Sequence, residues 1–272
     1  MPYRFHRPRG LNLLCAFALL AVGISTHSFA DGHKHESSPR YLNASKVDWV
    51  RLIAPPPAVD SVQQQRDLQA VLDIQTANRA GERREKAIAD SDASCFRFAD
   101  VLGSAFDARQ LPITAAFLNR AANEANAATG IVKRHWQRPR PFAVNDKVER
   151  LADVVPHNDK QDVATLHSFE YSSYPSGHAT YGMACALLLS QLVPEKQLAL
   201  FQRGIEYGES RVIVGGHFPS DVLAGRFIAT AALTLMTQSS AFQHDVKAAR
   251  KELQRALDLA KPPEPVAVIT KM

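Results

Sequence analysis

Apolar side chains recur at helical spacing along most of this chain, and almost nowhere alternate with polar ones as a half-buried strand requires. Helical patterns run over 79–89, 95–106, 114–128, 179–192, 195–209, 220–236 and 241–260. A further one opens on Ser61 and Gln64, a capping-box pair, and continues through Leu68, Val71, Leu72 and Gln75. The best strand candidate, "RVIVGG", is short. Proline and glycine fall in the connections, as in "ARQLPI" and "LVPEK". With 46% hydrophobic residues the chain can fill a core, so the pattern predicts an all-α fold, a single helical-bundle domain over 59–260. Residues 31–58, polar and then proline-rich, read as an extended, loosely ordered segment, and 261–272 as a flexible tail. His33 and His35 in the former read as part of a solvated tail. No internal repeat is visible.

The first thirty residues follow another logic. Arg4, Arg7 and Arg9 precede an apolar run from Leu11 to Ile24, and a polar stretch closes on Ser28-Phe29-Ala30. This is the order of a secretory signal with cleavage after Ala30, which predicts a periplasmic or secreted protein. Cys15 follows Leu14 rather than a small residue, which argues against a lipid anchor. Removing those three arginines leaves 29 basic and 27 acidic side chains, too even a balance to suggest nucleic acid. The stretch 222–236 carries Arg226 and reads as a core helix, not a membrane span. Cys95 and Cys185 remain in the mature chain, either as a disulfide or as two buried thiols.

Three clusters suggest chemistry. In "KRHWQRPRPF", Lys133 is followed by Arg140 and Pro141. In "SSYPSGHAT", Pro175, Ser176 and Gly177 deliver His178 to the front of an apolar helix. In "SRVIVGGHFPSD", Ser210 and Arg211 precede His217 and Asp221. Each alone has a bland reading: a solvated basic face, a helix cap, a surface pair beside a Gly-Gly turn. Together they supply what phosphoryl transfer demands. Lys133, Arg140 and Arg211 can hold nonbridging oxygens, and the Ser176 and Gly177 backbone at a helix start adds N–H donors. Asp221 orients His217 for attack, and His178 protonates the leaving oxygen. Pro219 suits the first turn of the helix carrying Asp221. Trp136 and Phe142 read as core, His135 and Arg138 as surface or supporting residues. His157 and His167 are weak candidates for a leaving-group contact, and Tyr174 and Tyr181 are expected to pack under the PSGH turn.

The three stretches, in order, are similar to K-x6-RP, PSGH and SR-x5-H-x3-D, the motifs of the type 2 phosphatidic-acid phosphatase superfamily, which also holds the vanadium-dependent haloperoxidases. "APPPAVDS", "KRHWQRPRPF", "SSYPSGHAT" and "GIEYGESRVIVGGHFPSD" resemble the bacterial class A nonspecific acid phosphatases from about Leu52 to the last helix. The resemblance implies that fold and a secreted, metal-independent acid phosphatase without cofactor, acting on small phosphomonoesters. It implies a phosphohistidine at His217, Asp221 as its partner and His178 as acid and base. Lys133, Arg140, Ser176, Gly177 and Arg211 would then bind the phosphoryl group. Relatives often associate, so a homo-oligomer is left open. The chain departs from many class A members where it has Val214 instead of a cysteine. A vanadate-dependent haloperoxidase and a non-catalytic phosphate-ester binding protein are the alternative readings.

Overall fold

The computed structural model describes residues 39–151 and 169–257. The expected signal segment 1–30, His33, His35, His157, His167 and the tail 261–272 lie outside the described residues. Within them the chain is all-α. Seven helices of eight residues or more carry the fold among the described residues: α1 (Val62–Ala77), α2 (Glu82–Ala89), α3 (Pro112–Trp136), α4 (Gly177–Leu192), α5 (Gln197–Ile213), α6 (Pro219–Met236) and α7 (Ser240–Ala256).

Their starts follow local chemistry. Ser61, Ser176 and Ser239 cap α1, α4 and α7 by accepting the N–H of Gln64, Ala179 and Phe242. Proline occupies the first turn of α3 and α6, where its missing N–H costs nothing. α3 stops at Gln137, which takes the left-handed conformation at φ 46°. The expected single helix over 95–106 is instead a 3-10 turn, Cys95–Phe98, and a short turn, Ala99–Leu102, ended by Gly103 at φ 92°. "RVIVGG" is not a strand: Arg211 to Ile213 form the last turn of α5. Their burial in the helical core overrides a β-branched preference that is weak by nature.

α4 is buried on nearly every side, from Ala179 through Leu192, and packs against α3, α5, α6 and α7. Such a helix is a core element, so the PSGH turn at its front is held by the most constrained part of the molecule. Tyr174 and Tyr181 are both buried beside that turn. α6 approaches it very closely. A Cβ on Gly225 would lie 2.5 Å from the carbonyl oxygen of Ser176, so only glycine lets the two backbones meet. Gly215, at φ 75°, makes the turn between α5 and His217, and a side chain there would run into Glu149 O.

The segment expected to be loose is docked over residues 39–53. Trp49 is fully buried and donates its indole N–H to Ala44 O at 2.9 Å. Glu124 of α3 accepts the backbone N–H groups of Arg40, Tyr41 and Leu42 at 2.8, 2.8 and 2.9 Å. Isolated aromatic anchors carry no helical period, yet each contributes on the order of 3 kcal/mol when buried.

Cys95 and Cys185 form a disulfide with Cα atoms 5.3 Å apart, tying the 3-10 turn to α4 across a sequence separation of 90. Closing so long a loop restricts the unfolded chain by about 4–5 kcal/mol in the chain-entropy account. Reduction, or Cys95→Ser, is expected to lower the melting temperature by roughly 10–15 °C. Calorimetry with and without reductant checks this; an unchanged melt refutes it.

Candidate active site

Four segments converge on one buried cluster of positive charge. Lys133 lies in the last turn of α3, and Arg140 in the irregular stretch that follows. The PSGH turn opens α4, Arg211 closes α5, and His217 and Asp221 bracket the start of α6. The Lys133 ammonium donates to Ser172 O, and Ser173 O lies 3.5 Å from it. Arg140 is buried and donates to Phe169 O at 3.0 Å and Gly216 O at 2.8 Å, its guanidinium 4.1 Å from the Phe169 ring centre. Arg211 is fully buried and donates to Ser91 Oγ at 2.7 Å, while its Nε has no partner. Among the described residues none of these three cations forms an ion pair with a carboxylate. Burial first, then the neighbouring cation Arg140, pushes the Lys133 ammonium well below the ordinary lysine range. Burial and then Arg211 push Arg140 down to about 9, and burial pushes Arg211 down to about 10. Burying such a cluster is costly, and a facing anion would offset the cost.

His217 sits against this cluster. Its Nε2 is 3.1 Å from Arg140 Nη1, and its Nδ1 lies 3.5 Å from Asp221 Oδ2, longer than a full hydrogen bond. A guanidinium can only donate, so Nε2 is the acceptor and Nδ1 carries the hydrogen. The lone pair therefore points into the cationic cluster. Asp221 is fully buried; Oδ2 also accepts from Ser173 Oγ at 2.6 Å and from the Phe218 N–H at 2.9 Å. Burial alone would raise its pKa, but His217, Arg138 and Ser173 outweigh that and hold the carboxyl well below the ordinary range.

His178, one residue into α4, places Nε2 3.0 Å from Ser91 O. A carbonyl only accepts, so Nε2 carries the hydrogen and Nδ1 is the nitrogen free to exchange a proton. Burial, then Arg211, lowers its pKa to about 3; Arg140 and Lys133 act in the same direction. Ser176 is fully buried. Its hydroxyl caps α4 through the Ala179 N–H at 3.2 Å, and its N–H donates to Asp221 O at 2.9 Å. Gly177 begins α4, where an added Cβ would crowd Asn126 Oδ1 at 3.1 Å. Every residue singled out in the three motifs thus lies in or beside one cluster.

Of the two places left open for Arg138, the structure shows the supporting one: it is buried and bridges Asp221 and Asp67. Other neighbours were not foreseen. Gln64 donates its backbone N–H to the Ser61 cap, but its side chain accepts from Arg138 at 2.5 Å instead of completing a capping box. Asp67 could have been noticed, because with Val71 and Gln75 it forms the buried face of α1 at spacings of four. Ser91 joins Arg211 to His178, yet nothing in "IADSDAS" marks it. Phe142 stacks on Phe169 at 6.3 Å, and Trp136 packs against the core edge; His135 is exposed.

The family model described as the PAP2 superfamily matches residues 114–245, a span that holds all three motifs. An acid phosphatase of Zymomonas mobilis is 32% identical over 259 residues, 92% of this chain and 93% of that protein. A non-specific acid phosphatase of Providencia stuartii is 32% identical over 257 residues, covering 90% of this chain and 97% of the relative. One from Salmonella typhimurium is 33% identical over 207 residues, 74% and 78% of the two chains. With identity spread over nearly the whole length and the motif residues gathered in one place, this chain belongs to the PAP2 superfamily, among the non-specific acid phosphatases.

Proposed function

We propose that the protein is a secreted acid phosphatase that hydrolyses small phosphomonoesters through a phosphohistidine on His217. The observation that carries this is the contact between Arg140 Nη1 and His217 Nε2. It fixes the tautomer with the nucleophilic lone pair inside a cluster of buried cations.

Lys133, Arg140 and Arg211 bind the phosphoryl oxygens, with the Gly177 N–H at the positive end of α4; the Ser176 N–H is taken by Asp221 O, so Ser176 contributes through its hydroxyl hydrogen. His217 Nε2 attacks phosphorus as the ester oxygen departs in line, and the P–O bond breaks as the P–N bond forms. Asp221, held ionised, stabilises the positive charge that develops on the ring. His178 Nδ1 gives its proton to the departing alkoxide. It then takes one from the water that hydrolyses the phosphohistidine and releases phosphate. In the unliganded site its proton affinity is too low for that task. A bound phosphate offsets Arg211, Arg140 and Lys133 and raises it, so the acid is charged by substrate binding. The cation set supplies the charge stabilisation, and turnover needs no metal. The Cys95–Cys185 disulfide supports secretion, because such bonds persist in oxidising compartments.

His217→Ala is expected to abolish p-nitrophenyl phosphate hydrolysis, a loss of at least ~10⁴-fold, while wild-type turnover survives EDTA. His178→Ala should damage alkyl phosphates far more than the nitrophenyl ester, whose leaving group departs as a stable anion. Steady-state kinetics on both ester classes measures this; turnover by the His217 variant refutes the proposal.

The two imidazoles, His217 buried and His178 partly so, also set a pH dependence. His178 and His217 bind protons more weakly folded than unfolded, where the ordinary value is 6.5, because burial and then a neighbouring cation (Arg211 for His178, Arg140 for His217) oppose the imidazolium. The unfolded chain therefore takes up more protons as the pH falls below that value. Unliganded stability drops there by up to about 1.4 kcal/mol per pH unit for each ring. Phosphate in the cradle reverses the effect. Its increment in melting temperature is expected to be larger near pH 5 than near pH 8, as a thermal-shift series would show. Equal increments refute the coupling.

A further inference from the structure

Arg138 lies just past α3, two residues before Arg140, outside the residues that would touch phosphate. It is only 5% exposed. Nη1 donates to Asp221 Oδ1 at 2.6 Å and to Ser220 Oγ at 2.7 Å. Nη2 donates to Asp67 Oδ2 at 2.9 Å and to Gln64 Oε1 at 2.5 Å. The guanidinium plane rests on Phe218, 4.1 Å from the ring centre, and Ser220 Oγ donates to the same Asp67 carboxylate. Arg138 O accepts the N–H of Ser173, the residue whose hydroxyl binds Asp221 Oδ2. One residue thus joins α1, the end of α3, the stretch before α4 and the start of α6: its side chain reaches α1 and α6, and its carbonyl holds Ser173.

Stability does not demand such an arrangement. A buried arginine between two buried carboxylates gains little over apolar packing of the same volume, because desolvation offsets the attraction. Geometry is what it supplies. With Oδ1 taken by Arg138, and Oδ2 shared by Ser173, Phe218 N–H and His217, the Asp221 carboxylate cannot rotate. We propose that Arg138 is a positioning residue for the phosphoryl transfer, an arginine clamp shared with Asp67 that keeps Asp221 Oδ2 turned toward His217 Nδ1. This rests on the phosphohistidine reading and adds to it a chain from Asp67 through Arg138 and Asp221 to His217.

The clamp also governs charge. Asp221 is faced by His217 from the turn before α6, Lys133 from α3, Arg140 and Arg138 from the stretch after α3, and Tyr174 from the stretch before α4. Asp67 reaches it from α1 through Arg138 and Ser220. Removing Arg138 leaves two buried carboxylates without their shared cation, so Asp221 takes up a proton at higher pH. The acid side of the kcat profile then moves upward.

The test compares the wild type with Arg138→Lys, the charge-balanced pair Arg138→Met with Asp67→Asn, and His217→Ala as reference. The charge-balanced variant leaves no unpaired extra carboxylate and is the one expected to fold. Its kcat for p-nitrophenyl phosphate should fall ~100-fold with KM within about threefold, and its acid limb should move up by about one pH unit. Arg138→Lys keeps the charge without the two-pronged fork, so it should restore the limb while kcat stays at least ~10-fold down. A role in folding alone would lower the melting temperature and leave both readouts in place. Wild-type kcat and pH profile in the folded double variant overturn the clamp, even with His217→Ala inactive. If the double variant does not fold, Arg138→Lys decides: a reduced kcat at unchanged KM supports the clamp, and a wild-type kcat overturns it. Full turnover by His217→Ala overturns the phosphohistidine reading and the clamp together.

Discussion

Three cations, Arg140 and Arg211 buried and Lys133 partly so, which have no carboxylate partner among the described residues, are the constraint around which the site is organised. Lys133, Arg140 and Arg211 are pushed toward neutrality by burial, which is the signature of groups waiting for negative charge. Other buried arginines among the described residues are balanced: Arg203 clasps Asp90 at 2.5 and 3.0 Å, and Arg138 pairs with Asp67 and Asp221. The fold tolerates the unbalanced three because each cation still finds oxygen acceptors: Ser172 for Lys133, Phe169 and Gly216 for Arg140, Ser91 for Arg211. Carbonyl and hydroxyl oxygens lower the cost of burying a cation without cancelling its charge.

The scaffold holds this charge by close backbone approach. α4 is buried almost all round and carries the PSGH turn at its front. α6 presses against that turn at Gly225, and the Ser176 N–H donates to Asp221 O, so the cap of α4 is bonded to the first turn of α6. The PSGH turn and the turn that carries His217 are therefore tied together through the backbone. The loop at Asp90–Asp92 fixes the other side: Asp90 takes Arg203 and Ser210, Ser91 takes Arg211 and His178, and Asp92 O accepts from Tyr207. The disulfide at Cys95 anchors the same stretch to α4.

Much of this was legible in the sequence. Pro, Ser and Gly before an apolar helix announced the turn, and the spacing of Arg211, His217 and Asp221 announced the ring and its partner. Those signals survive because they rest on local chemistry: a cap, a proline at a first turn, a pair four residues apart. The pairing of Arg138 with Asp67 was hidden because its meaning is tertiary. One stood at an unassigned position within a motif, the other inside a helical pattern where a polar residue normally faces water. The docking of Trp49 and the pairing of Cys95 with Cys185 were closed to sequence for the same reason, since neither contact has a period or a spacing. "RVIVGG" misled because β-branched residues in the last turn of a buried helix look like a strand until their neighbours are known.

The most direct test of the account is chemical capture of the intermediate. The enzyme is mixed with excess phosphate ester, quenched in alkali within the first turnovers and mapped by peptide mass spectrometry. The account predicts an alkali-stable, acid-labile phosphoryl group on the imidazole of His217. A phosphoryl group on any other side chain, or none under conditions of rapid turnover with the peptide recovered intact, would contradict it.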